Sequence, residues 1–272
     1  MRVLRAVFLT LVTVFVLAPL VVVLLASVSP DEVLTSLVPD GFTLHWIGEA
    51  LDYEPFRVGI LYSVEVAALA TAIALLLGTP AAYALARTRI PAAGFLRSVF
   101  VAPLSLPRVV AGFCFFTLYV SLFPTAYGTV GGVAFAHVLL LLPFVVALIG
   151  AGLAGSDPAL EEAARDLGAS PLKAFFRVTL PQIRMPLLIA AVFAFLTSFD
   201  EVDLSIFLMP ADTTTLPVAI FLRLQQDQDP TTSAVSSLMI VGSLAVALLT
   251  GLAVRRAGLW RENTRSGEGM DE

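Results

Sequence analysis

The sequence predicts an all-α membrane protein with six transmembrane helices and both termini in the cytoplasm. Three observations carry that expectation. First, 58% of the 272 residues are hydrophobic and 14% are charged, where soluble domains have about 45–50% and about 25%. Second, uncharged runs recur that are long enough to cross a hydrocarbon core, which takes about 20 apolar residues. Third, with the N-terminus inside, 13 of the 16 Lys and Arg residues fall on inner segments, which is the positive-inside pattern. The balance excludes a soluble enzyme, a disordered chain and a basic nucleic-acid binder, so no nucleic acid is expected as a partner. The single cysteine, Cys114, excludes an intrachain disulfide framework and a Cys-cluster metal site.

The spans are expected near 6–28, 60–85, 99–121, 132–153, 186–209 and 231–254. Arg2 and Arg5 precede the first run, Ala6 to Pro30. It exceeds the about 7–15 apolar residues of a signal peptide, so a retained helix is expected. Val66 to Ala86 supplies the second span. Val109 to Ser156 is uncharged for 48 residues, enough for two crossings, and turn-rich SLFPTAYGTVGG (Ser121 to Gly132) divides it. Pro103 and Pro107 are expected to bend or break the entry to the third span. Arg108, at its start, is expected to snorkel to the inner surface. Met185 to Pro210 holds the fifth span and Pro230 to Val254 the sixth. Residues 1–260 then form one transmembrane domain with a cytoplasmic loop at 154–185, and 261–272 a polar, disordered tail behind Arg255, Arg256 and Trp260.

Nine acids fall outside: Asp31, Glu32, Asp40, Glu49, Asp52, Glu54, Asp212, Asp227 and Asp229. The net charge of −5 is therefore the sum of a basic inner face and an acidic outer one. His45 and His137 have no metal-ligand companion at useful spacing, so structural roles and no metal are expected. Glu65 reads as an interface or inter-helix hydrogen-bonding group, and Cys114 as a small buried apolar residue.

The loop from Asp157 to Arg184, DPALEEAARDLGASPLKAFFRVTLPQIR, is not loop-like. Asp157 can N-cap a helix with Pro158 at its first position. Gly168 suits the C-terminal turn. Ser170 and Pro171 restart a helix expected to end before Pro181. Two short helices joined at a glycine can present a surface to a soluble partner, or lie on the membrane as an amphipathic hairpin.

This loop resembles the EAA signature of binding-protein-dependent ABC transporter permeases. That pattern is EAA, three residues, Gly, nine residues, an aliphatic residue, any residue, then Leu-Pro. Glu162-Ala163-Ala164, Gly168, Val178 and Leu180-Pro181 stand at the matching spacing, with Val178 where Ile is more usual. The resemblance implies an ABC importer permease fold of type I in the cytoplasmic (inner) cell membrane, in contact with lipid. It implies a coupling helix that docks on an ABC ATPase dimer, a second permease of a different chain, and an extracytoplasmic solute-binding protein. Glu162 would pair with a basic residue of the ATPase, or stand as an intrahelical or solvated charge. Ala163 and Ala164 would allow close packing, and Gly168 the sharp turn. No cofactor is expected in this chain, and it is not expected to be an enzyme. A P-loop needs Gly-Lys-Ser/Thr, and the only lysine, Lys173, follows Leu172. ATP and magnesium belong to the separate ATPase.

Asp200, Glu201 and Asp203 interrupt the fifth span, where ionisable groups usually face a cavity or a partner. On a helix turning about 100° per residue, Asp200 and Asp203 lie on related faces while Glu201 points elsewhere. They read as an acidic pathway wall for a cationic solute, or as structural pairs with the partner permease marking the outer helix end. SFDEVDLSIFL, TTLPVAIFLRLQQDQDPTTSAVSSL and GFTLHWIGEAL resemble the spermidine/putrescine-type permease branch, which also includes importers of opines and phosphonates. A polyamine is therefore the expected solute. The competing class is an ion-coupled secondary transporter using Glu65, Asp200, Glu201 or Asp203. An intramembrane hydrolase would lack a nucleophile–base pair.

Overall fold

The computed structural model describes residues 2–31, 40–88, 90–91, 93–210, 213–226 and 229–267, with side chains from 3 to 256 within those ranges. Glu32, Arg89, Asp212, Asp227 and residues 268–272 lie outside them, as do the side chains of Arg2, Trp260, Arg261 and Arg265. The described residues are nearly all helical. In order they form α1 (Arg2–Ala26), α2 (His45–Asp52), α3 (Glu54–Arg87), α4 (Ala93–Val101), α5 (Arg108–Leu122) and α6 (Val130–Ala154). Then come α7 (Pro158–Asp166), α8 (Pro171–Ala174), α9 (Leu180–Gln182), α10 (Arg184–Phe199), α11 (Leu216–Gln226) and α12 (Pro230–Gly267).

Among the described residues, four unbroken helices are long and apolar enough to cross a membrane. They are α1, α3, α6 and α12. Two further spans are bent pairs, giving up to six. One pair is α4 with its 3₁₀ turn (Ala102–Ser105), followed by α5 after a 97° bend. Pro107 stands as the N-cap of α5, where its fixed φ and missing N–H end one helix and start the next. The expected third span, 99–121, is thus two helices meeting near a right angle. The other pair is α8–α9 followed by α10 after 76°.

That second break falls at Ile183, not before Pro181. A π turn at Phe175–Thr179 precedes the proline, and the Leu180 N–H bonds back to the Phe175 carbonyl, five residues away. A wider turn of this kind lets the helix run through a residue that cannot donate. The expected fifth span, 186–209, is helical only to Phe199. The tail also differs, because α12 continues through residues 261–267.

The chain divides into two compact units, Met1–Tyr62 with Ala211–Ala245, and Ser63–Pro210 with Val246–Glu272. In the first, Trp46 Nε1 donates to the Ser29 carbonyl (2.8 Å) and Ser237 Oγ to that of Val23 (3.3 Å). Arg223 pairs with Asp229 (2.5 Å) and lies 5.1 Å from the Tyr53 ring centroid. Most of α1 is exposed, from Val3 through Val22.

The second unit is organised around α6. Its Val133, Ala134, Val145, Ile149 and Leu153 are fully buried. Phe144 of α6 meets Phe193 of α10 with ring centroids 5.1 Å apart. At Gly152 a Cβ would lie 2.5 Å from Pro186, so only glycine lets α6 and α10 approach this closely, the small-residue packing of membrane helices. Cys114 is exposed on α5, contrary to its expected burial, because α5 turns that face away from α6.

Candidate coupling and translocation elements

The loop after α6 is built from caps. Asp157 Oδ1 accepts from the Ala159 N–H (2.9 Å), satisfying one open donor at the start of α7. At its end, Ala169 N–H bonds the Ala164 carbonyl (3.0 Å) and Gly168 N–H that of Arg165 (2.9 Å). These two bonds are a Schellman motif. It requires a left-handed residue, and Gly168 has φ +88°. Ser170 Oγ then accepts from the Lys173 N–H (3.4 Å), and Pro171 opens α8. The two-helix hairpin read from the sequence forms as expected.

Its apolar face is not the buried one. Leu160, Ala163, Ala164 and Leu167 follow the i, i+3, i+4, i+7 spacing of one helix face. That apolar face points outward: Leu160 is 53% exposed, Leu167 90%, and Ala163 is also exposed. Glu162 is exposed beside them. The neighbouring Glu161 is buried. Its Oε1 accepts from the Tyr83 hydroxyl of α3 and from Arg165 Nη2 (2.8 Å), and its Oε2 from the Thr179 hydroxyl (2.5 Å). Arg165 Nη2 also reaches Tyr83 Oη at 3.1 Å. Burial by itself would raise the Glu161 carboxyl, but the hydroxyls of Thr179 and Tyr83 and the charges of Arg165 and Arg87 outweigh it and hold the group below its usual range. The two ends of the signature meet through this residue, because Thr179 directly precedes Leu180 and Pro181. Leu180 is half-buried and Pro181 exposed.

The acidic stretch after α10 is a turn and not helix. Asp200 is the C-cap of α10, and a 3₁₀ turn follows at Ser205–Phe207. The expected helical faces of Asp200 and Asp203 therefore do not exist, although both side chains are exposed and Glu201 is not. Glu201 has 1% of its side chain exposed and pairs with Arg108 Nη1 at 2.7 Å. Its other oxygen accepts from the Leu204 N–H (3.1 Å). Arg108 thus reaches Glu201 and does not snorkel, since α5 starts beside the turn. His137, buried in α6, bridges the turn's two flanks, with Nδ1 2.7 Å from Ser198 Oγ and Nε2 2.9 Å from Ser205 Oγ. Its role is structural, as expected. Arg108, Glu161, Tyr83 and Thr179 were not marked as functional by the sequence reasoning. For Arg108 the signal was available: a lone cation among uncharged residues needs an acid. Nothing in the sequence singles out Tyr83 or Thr179.

Residues 74–258 match the family described as binding-protein-dependent transport system inner membrane component. The chain belongs to this family. Relatives of this binding-protein-dependent permease include the putrescine transport system permease protein PotI of Escherichia coli (strain K12), 32% identical over 248 residues, covering 89% of this chain and 87% of the relative. The spermidine/putrescine transport system permease protein PotC of the same organism is 26% identical over 258 residues, covering 93% and 95%. A putative 2-aminoethylphosphonate transport system permease protein, PhnV of Salmonella choleraesuis (strain SC-B67), is 29% identical, covering 91% of each chain. In fold, the permease is similar to a chain of a bacterial ABC transporter involved in alginate import, at TM-score 0.70 and 18% identity, covering 94% of this chain and 95% of that one. A chain of an amino acid ABC transporter matches at TM-score 0.56 and 19% identity, covering 79% and 100%. The protein is an inner-membrane permease component of a binding-protein-dependent ABC importer, with the all-α fold of such permeases.

Proposed function

We propose that this permease carries a polyamine such as putrescine or spermidine inward, driven by a separate ABC ATPase dimer. It would work with a second permease chain and an extracytoplasmic solute-binding protein. Both termini and the 154–185 loop lie on the cytoplasmic side in this reading, within a transmembrane domain spanning residues 1–260. The observation that carries the coupling role is the outward apolar face of α7. A helix that leaves Leu160 and Leu167 uncovered presents an apolar patch fit to be covered by another protein. Glu162, Ala163, Ala164 and Gly168 form that docking helix, with Leu180 and Pro181 behind the π turn leading into α10. ATP and magnesium act on the ATPase, and this chain contributes no covalent step.

For the solute, support comes from the exposed carboxylates of Asp200 and Asp203 beside the Glu201–Arg108 pair, together with the putrescine and spermidine named for two relatives. Asp200, Glu201 and Asp203 would face the passing cation, with Glu201 held by Arg108 until the membrane helices rock. Alternating access requires different affinities in the two states, and breaking and remaking that pair supplies such a difference. The test is uptake of labelled putrescine into proteoliposomes holding the complete complex. Saturable, ATP-dependent uptake is expected, competed by spermidine and not by 2-aminoethylphosphonate. No such uptake with the matching binding protein present would overturn the polyamine assignment.

A further inference from the structure

The covalent routes from the coupling helix into the membrane run back through residues 155–157 to α6 and forward through the Gly168 turn, α8, the π turn and α9 into α10. The helix α3 has no such route, since Tyr83 and Glu161 are 78 residues apart. We propose that Glu161 is the positioning residue that ties α7 to α3, so that motion imposed on the coupling helix is delivered to α3 as well as to α10. This rests on reading α7 as the helix that engages the ATPase. It extends that reading by naming the path of the force.

The geometry is specific. Glu161 is 6% exposed and spends both oxygens on three elements: α3 through Tyr83, α7 through Arg165, and the π turn through Thr179. The Tyr83 ring also packs edge-on against Phe175, with centroids 5.1 Å apart, so the contact on α3 has an apolar backing. Charge-assisted hydrogen bonds are short and directional, which lets a carboxylate transmit displacement where an apolar contact would slide. The other tie at this end of α3 is different in kind. Arg87 donates to the Ser156 hydroxyl (2.5 Å) in the linker between α6 and α7, so it grips that linker and not a side chain of α7. Glu162, the acid of the signature itself, is exposed and borders a small pocket beside Tyr83, Arg87 and Glu161.

The experiment uses the assembled complex in proteoliposomes with Cys114→Ser as background. Single thiols are placed at Leu76→Cys in α3 and Leu188→Cys in α10, both exposed positions. The rate of maleimide labelling is compared with and without vanadate-trapped nucleotide. In the parent, trapping is expected to change labelling at both thiols. In Glu161→Ala the response at residue 188 is retained and that at residue 76 falls by roughly tenfold, a size typical of one coupling interaction. Glu161→Gln, which keeps the shape and one acceptor, falls between. A mere loss of stability would lower both responses together. An undiminished response at residue 76 in Glu161→Ala and Glu161→Gln overturns the proposal. If Glu161→Ala does not assemble, Tyr83→Phe, which removes the hydroxyl that α3 gives to Glu161, must show the same split between the two thiols, while Thr179→Val, which leaves that bond, must keep the response at residue 76. A full response at residue 76 in Tyr83→Phe overturns it. A parent with no nucleotide response at either thiol instead overturns the coupling role of α7, and this proposal with it.

Discussion

A carboxylate with 1% of its side chain exposed needs a donor, and Arg108 supplies it to Glu201. Removing one partner of a buried pair costs about 3–5 kcal/mol. Arg108 is nearly half exposed, which weakens the pair by screening, so Arg108→Ala should cost about 3 kcal/mol or less. Glu201→Gln should cost less than Arg108→Ala, since it leaves no buried charge. Thermal unfolding of the purified protein measures both, and an Arg108→Ala variant as stable as the parent would contradict the pairing. The acid cluster was legible as a feature, but its geometry was not. Extending the 3.6-residue period past Phe199 assumed that the helix persists. Carboxylates at a helix C-terminus oppose its dipole, and the Glu201 side chain captures the Leu204 N–H, a local bond that competes with helical ones. The helix stops where the acids begin, and a pattern of apolar residues alone does not reveal that.

At the scale of the element, α7 shows both the reach and the limit of sequence patterning. Asp157, Pro158, Gly168 and Ser170 sit where cap chemistry requires them, because caps are local and depend on few atoms. The direction of the helix is not local. An apolar stripe is ordinarily read as the inward face, yet here the buried position is held by Glu161, with the exposed Arg165 reaching back to it. The signature begins at Glu162 and passes over the adjacent Glu161, and only the positions of Tyr83 and Thr179 reveal that Glu161 is the buried one. Replacing Leu160 and Leu167 together by Ser should leave folding intact, because both are exposed. If the ATPase covers them, each loses about 1.5–3 kcal/mol of burial, so pull-down of the ATPase subunit should weaken by more than tenfold. Undiminished capture would remove α7 from the interface. The Glu161 junction has its own pH signature. Its folded carboxyl titrates below the unfolded value of 4.5, so its contribution is complete above that value and is lost as pH falls through the lowered one. The gap in melting temperature between the parent and Glu161→Gln should therefore be present at neutral pH and close in acid.

At the scale of the whole molecule, the composition and the run lengths anticipated the membrane class and up to six spans, two of them bent where prolines or a π turn intervene. Bends are set by tertiary packing as much as by the proline, which is why Pro107 breaks a span while Pro19 stays inside α1. The topology makes a direct prediction. In oriented vesicles of Cys114→Ser, a thiol at Leu167→Cys, a position 90% exposed, should react with a membrane-impermeant maleimide only from the cytoplasmic side. Labelling from the opposite side would invert the arrangement. The outward leucines of α7 also bear on how the subunit is produced. A copy made in excess of its ATPase would hold an uncovered greasy patch in an aqueous compartment, the kind of surface that chaperones and proteases recognise. The steady-state amount of permease should therefore follow the supply of ATPase and not its own rate of synthesis, with surplus copies degraded.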